Sequence, residues 1–144
     1  MKVLVVEDDD GIAELVDIAL RNAGHKVLGP AVSYDEAMAI AEREKPDMGL
    51  LNINLVGLGT GIDLARELHA RSIPSVFISG NTHDEGAREF AVGSLAKPYR
   101  LASLIGAVEL VRCLIAGVDP PTLPTGFVLF RRGRFVRAGI RVAV

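Results

Sequence analysis

Four consecutive acids, Glu7, Asp8, Asp9 and Asp10, directly follow the apolar run Val3 to Val6. A short apolar run of that kind reads as a buried strand, so the strand empties into a cluster of carboxylates. Unit charges about 4 Å apart repel by roughly 4 kcal/mol at an effective dielectric of about 20. The plainest use for such a cluster is a hard cation with oxygen ligands. Other polar residues close later apolar runs: Asn52 and Asn54, then Ser79, then Lys97-Pro98. Acids, a side-chain oxygen, a hydroxyl and a lysine form a set that can hold Mg²⁺ and a phosphoryl group together. The metal and the lysine neutralise phosphate charge, and the hydroxyl donates to an oxygen.

These residues work together only if the elements carrying them share one edge. Over the first 117 residues, short apolar runs alternate with helix-period segments, the pattern of a parallel sheet covered by helices on both faces. The pattern predicts strands at Lys2 to Val6, Lys26 to Gly29, Met48 to Leu51, Ser75 to Ile78 and near Leu95. A first helix places Ile12, Leu15, Val16, Ala19 and Leu20 on one face and ends at Ala23-Gly24. Ser33-Tyr34-Asp35-Glu36 is a capping box for a second, with Ala37, Ile40 and Ala41 inward. Gly61 leads into a third, a weakly patterned fourth lies near Thr82 to Ala91, and a fifth runs from about Arg100 to Gly117. In such a doubly wound α/β sheet, ligands bind outside the carboxyl ends of the strands, which is where the polar set falls.

Composition sets the frame. The chain has 144 residues, 49% hydrophobic and 24% charged, enough for one domain with a real core. No apolar stretch approaches a membrane span and no signal-peptide layout opens the chain, so a cytoplasmic protein without membrane contact is expected. The single Cys113 agrees with a reducing compartment, and in an apolar helix it reads as a packing residue. The net charge of -2 hides a division: residues 1–117 hold 17 acids against 11 bases, while 118–144 hold Asp119 against five arginines. The Pro-rich segment from Asp119 to Gly126 separates a domain at 1–117 from a linker and basic, apolar tail at 118–144.

With these residues in place the chain resembles the receiver domain of two-component response regulators. The matching stretches are VLVVEDDDG at 3–11, KPDMGLLNINLVGLGTG at 45–61, VFISG at 76–80 and LAKPY at 95–99, and the resemblance covers roughly residues 1–115. It implies a five-stranded parallel sheet in the flavodoxin-like order 2-1-3-4-5, Asp8 as a direct Mg²⁺ ligand, Glu7 acting through water and the backbone carbonyl of Asn54 as a further ligand. It also implies Ser79 and Lys97 on the phosphoryl group, a cis Lys97-Pro98 bond, and a histidine kinase or phosphotransferase as partner. The expected role is a signalling module of a phosphorelay, not an enzyme.

The sequence departs from that family at three positions. Asn52 stands where the resemblance places the phosphoaccepting aspartate and a metal ligand. An amide oxygen is a much poorer nucleophile than a carboxylate, so phosphorylation at residue 52 is not expected, and Mg²⁺ should bind more weakly. A natural loss of phosphate use, an engineered change and phosphorylation elsewhere all fit. Val56 stands where proline is usual, and Ser94 where an aromatic switch residue is usual. The alternative to a phosphorelay receiver is a phosphate-independent interaction or dimerisation module.

Simpler readings apply elsewhere. Asp9 and Asp10 read as capping and dipole-favoured acids, Gly57 to Gly61 as a turn, and His25, His69 and His83 show no ligand spacing. In the fifth helix Ala107, Leu110, Cys113 and Ala116 widen the apolar surface beyond one core stripe, which predicts a homodimer through this helix and the tail. Phe127 to Phe130 and Arg134 to Val144, joined by Arg131-Arg132-Gly133, read as a hairpin, an arm on a partner or an unstructured tail. No recognition helix is present, so no specific nucleic-acid binding is expected.

Overall fold

In the computed structural model, which describes residues 1–53, 60–80, 85–130, 136–137 and 140–141, strands and helices alternate along the chain. The elements are β1 (Lys2–Val6), α1 (Asp10–Asn22), β2 (Lys26–Ala31), α2 (Tyr34–Glu44), β3 (Met48–Asn52), α3 (Gly61–Ala70) and β4 (Ser75–Ser79). They continue with α4 (Glu85–Phe90), β5 (Gly93–Ala96), α5 (Leu101–Ala116), β6 (Phe127–Leu129), β7 (Val136–Arg137) and β8 (Ile140–Arg141). The five expected strands are present, each within a residue or two of the predicted bounds.

The sheet order is β2-β1-β3-β4-β5-β6, and the first five strands run parallel. β3 and β4 are buried along their whole length, which is why their sequences are continuous apolar runs without alternation. Hydrophobic clusters cover both faces. Val3, Val5, Leu50, Val76, Ile78 and Leu95 pack under α1 and α5. Leu4, Val6, Leu51 and Phe77 pack under α2 and α3.

Local chemistry fixes the helix starts. Asp9 caps α1 by accepting from the N–H of Ile12, and Asp10 sits in its first turn, the roles expected of them. Ser33 caps α2 through the N–H of Glu36. α3 has a reciprocal capping box between Thr60 and Asp63 that the sequence reading did not single out. Leu15 departs from expectation: it is 56% exposed, and Ala13, Val16 and Leu20 form the buried stripe of α1.

The carboxyl-terminal third corrects two expectations. Among the described residues, Phe127–Leu129 does not pair with Val136–Arg137 or Ile140–Arg141. It pairs antiparallel with β5 as a sixth strand, while β7 and β8 pair with each other. Gly93 permits this approach, because a Cβ there would overlap the carbonyl oxygen of Val128 and the ring of Phe127. The width of the apolar face on α5 also finds its partner within the chain. Ala107, Leu110 and Cys113, expected at a dimer surface, are buried at 0%, 0% and 8% exposure. The helix is covered by the sheet, by α1, by Pro124 lying on Gly106 and by Phe127 of β6, so it needs no second copy to bury these three side chains. Asn54, Val56, Gly57 to Gly59, His83 and Arg131 to Gly133 lie outside the described residues.

Candidate functional site

Because β1, β3, β4 and β5 are parallel, their carboxyl ends open on one edge of the sheet. Glu7 follows the last residue of β1, Asn52 ends β3, Ser79 ends β4 and Lys97 follows β5. Backbone bonds set their depth. The N–H of Glu7 donates to the carbonyl of Ala31 at 2.9 Å, and the N–H of Lys97 donates to the carbonyl of Ser79 at 2.9 Å. Gly61 lets α3 begin directly above β3: its N–H reaches the carbonyl of Ile53 at 2.8 Å, and a Cβ there would overlap the carbonyl oxygen of Asn52.

The side chains converge. The Asn52 amide nitrogen donates to Asp8 Oδ1 at 3.0 Å and lies 3.5 Å from Glu7 Oε1, so one amide spans both carboxylates. Glu7 Oε1 also accepts from the Asp9 N–H at 3.1 Å, and Glu7 Oε2 lies 3.8 Å from the Lys97 ammonium. Glu7 and Asn52 are only 6% and 8% exposed. Burial pushes the Glu7 carboxyl above its ordinary value. The Asp9 N–H and the Lys97 charge pull it back, while the neighbouring Asp8 adds to the rise.

The donors suit a hard cation. Two carboxylates and an amide oxygen are the right ligand type, and a single amide contacting both acids shows that they lie within reach of one ion. Among the described residues no group of three or more His, Cys, Asp or Glu is placed to hold a metal.

The remaining expected residues divide. Ser79 is at the same edge, 6% exposed, and joined to Lys97 through its carbonyl. Ser94 is not at the edge. It lies opposite Phe77 within the sheet, 1% exposed, with its hydroxyl lacking a hydrogen-bond partner. The Lys97-Pro98 bond is cis, as expected.

Tyr99 was not foreseen. Its phenol is pushed up by burial and then by the Glu7 charge, which places it in the field of the site. The sequence signal was its position two residues after Lys97. Tyr99, Lys97 and Pro98 line a groove of about 440 Å³ with Ile12, Leu15 and Leu101. Leu15 and Leu101 are 56% and 39% exposed, so an apolar surface adjoins the acidic site.

Comparison with known proteins agrees with this fold. The family described as response regulator receiver domain matches residues 3–109. The positive alginate biosynthesis regulatory protein of Pseudomonas aeruginosa is 36% identical over 115 residues, covering 76% of this chain and 46% of that protein. The transcriptional regulatory protein PdtaR of Mycobacterium tuberculosis is 32% identical over 114 residues, covering 76% and 55%. The chain thus spans about half the length of these curated relatives. Among solved structures, the signal receiver domain of a modulated diguanylate cyclase from Desulfovibrio desulfuricans superposes with a TM-score of 0.70 at 32% identity, covering 76% of this chain and 91% of that one. The chemotaxis protein CheY4 of Vibrio cholerae superposes with 0.68 at 25% identity, covering 76% and 97%.

Proposed function

Since the chain belongs to the response regulator receiver family, we infer that it is a receiver module of two-component phosphorelay signalling whose own phosphoacceptor position, residue 52, cannot take phosphate as it stands. The observation that carries this reading is the Asn52 amide donating to Asp8 and lying against Glu7, with Lys97 beside Glu7. Residue 52 is thereby fixed at the centre of the acidic site, where an attacking oxygen would be needed. An amide supplies no charged oxygen for attack on phosphorus, and a carboxylate would.

Asp8, Glu7 and Asn52 are the residues that would hold Mg²⁺, with the backbone of Asn54 as the family's further ligand. The ion would supply charge neutralisation for a phosphoryl group. Lys97 would pair with a phosphoryl oxygen, and Ser79 would donate to another. The Asn52 N–H already offsets part of the repulsion between the two acids, and the site has one anion fewer than an aspartate would give it. Both effects weaken the cation.

A histidine kinase or phosphotransferase is the partner class. A protein that delivers or reads phosphate must approach this edge, and the groove of Ile12, Leu15, Pro98, Tyr99 and Leu101 offers it an apolar seat. The test treats the chain and Asn52→Asp with acetyl phosphate and Mg²⁺ and follows the intact mass. A gain of one phosphoryl group by Asn52→Asp alone is expected. Acyl phosphate on the unsubstituted chain, or none on either, would overturn the assignment. In calorimetric titration Asn52→Asp should bind Mg²⁺ about tenfold more tightly, a difference of about 1.4 kcal/mol.

A further inference from the structure

The family match ends at residue 109, yet a group that steadies the end of β5 lies beyond it. Pro124 to Phe127 form a tight turn: the N–H of Phe127 donates to the carbonyl of Pro124 at 3.1 Å, and Gly126, third in the turn, has φ +81. Glycine takes that conformation without steric cost and asparagine tolerates it, whereas other L-residues are strained there. Both flanks of the turn are seated on the receiver body. Pro124 Cγ lies 2.9 Å from where a Cβ of Gly106 on α5 would be, and Gly93 on β5 leaves room for the Phe127 ring and the Val128 carbonyl. Phe127 is only 7% exposed.

The turn aims one carbonyl at the strand that carries Lys97. The Gly126 carbonyl accepts from the N–H of Ala96 at 3.0 Å, and the next residue, Lys97, donates its own N–H to the Ser79 carbonyl on β4 at 2.9 Å. The end of β5 is thereby held from both sides, by β4 and by the turn. Without the Gly126 carbonyl, the Ala96 N–H would lose its partner and β4 alone would hold the strand end. Lys97 lines the groove with Ile12, Pro98 and Tyr99, so its stem is packed and its ammonium follows the backbone. The ammonium lies 3.8 Å from Glu7 Oε2, long for a direct ion pair, so a small displacement of the strand end separates them.

We propose that Gly126 is a positioning residue of the acidic site. Its backbone turns a carbonyl onto Ala96, and the docking of the tail on β5 thereby sets where the Lys97 ammonium stands relative to Glu7. The tail becomes a regulatory element of the site: docked, it holds Lys97 at the carboxylates, and released, it lets the ammonium move away. The consequence for a phosphoryl group rests on the function proposed above, whereas the hold on Lys97 does not involve residue 52.

Nuclear magnetic resonance on the full chain tests this without phosphate or metal. The Cε and Nζ resonances of Lys97, assigned through Lys97→Arg, are recorded with and without Glu7→Gln, so the shift that Glu7→Gln causes reports the contact between the two side chains. In Gly126→Ala that shift is expected to fall at least about twofold, the signature of a lost coupling in a double-mutant cycle. The nearest atom to the added Cβ, Leu95 Cδ1, is 3.9 Å away, so this variant changes backbone preference and not packing. Gly126→Asn should restore the shift, and Phe127→Ala, which empties the seat beside the turn, should reduce it as Gly126→Ala does. Ser33→Ala removes the cap of α2, far along the chain from the turn, and serves as the control for lost stability; it should leave the shift at its native size. A native-sized shift in both Gly126→Ala and Phe127→Ala overturns the proposal, and so does an equal loss in Ser33→Ala. Failure of Asn52→Asp to take phosphate would strike the proposed function and not this result, because residue 52 is unchanged in every variant used.

Discussion

At the scale of single residues, the site holds a charge it would be easier to house protonated. Burial raises the Glu7 carboxyl above its ordinary 4.5, so the folded chain keeps that proton to higher pH than the unfolded chain does. The stabilisation is full below 4.5 and is lost as pH rises through the folded value. Glu7→Gln should therefore raise the thermal midpoint at pH 7 and leave it nearly unchanged at pH 4, as scanning calorimetry at the two pH values would show. His25 behaves in the opposite sense. Burial first, then the Met1 ammonium, hold it below 6.5; the ammonium donates to Nδ1 at 3.1 Å, while Nε2 lies 3.7 Å from Glu109. Its contribution is present above 6.5 and is lost as pH falls through the folded value. The midpoint of the native chain should fall more steeply below pH 6.5 than that of His25→Gln, and parallel slopes would remove His25 from the account.

At the scale of elements, short polar contacts fix where helices begin and hence where the site's residues stand. Thr60 and Asp63 bond reciprocally at the start of α3, and Gly61 lies against the backbone of Asn52. Thr60→Ala should cost about 1 kcal/mol in denaturant unfolding. Gly61→Ala should cost about 2 kcal/mol or more, because a Cβ meets main chain there and main chain cannot swing aside. It should also shift the amide resonances of Glu7 and Asp8, since Asn52 carries the displacement to them. A change confined to α3 would mean that the helix and the site are mechanically separate. These elements were largely legible in advance. Apolar runs marked β1 to β5 because a doubly covered strand has no polar face to show. The Thr60 box was missed because its partner is Asp63 in place of the usual Glu or Gln, and Leu15 was misplaced because periodicity marks a stripe without saying how wide a stripe the core will cover.

At the scale of the whole molecule, the acidic body and the basic tail meet through β6. Phe127→Ala should cost about 3 kcal/mol, at the low end for a buried phenylalanine because the strand lies at an edge. It should also speed hydrogen exchange of the Ala96 amide, which donates to Gly126, while the β1 amides stay protected. Uniform loss of protection would show that β6 unfolds only with the entire sheet. The sequence alone determined the order of strands and helices, the polar residues at the strand ends and the asparagine among them, because each is written in local pattern and spacing. Only the tertiary structure decided that one amide spans two carboxylates, that Tyr99 feels the charge of Glu7, and that the wide apolar face of α5 is satisfied within its own chain. Those outcomes depend on distances between segments far apart in sequence, and no local pattern encodes which of several available surfaces an apolar stretch will cover.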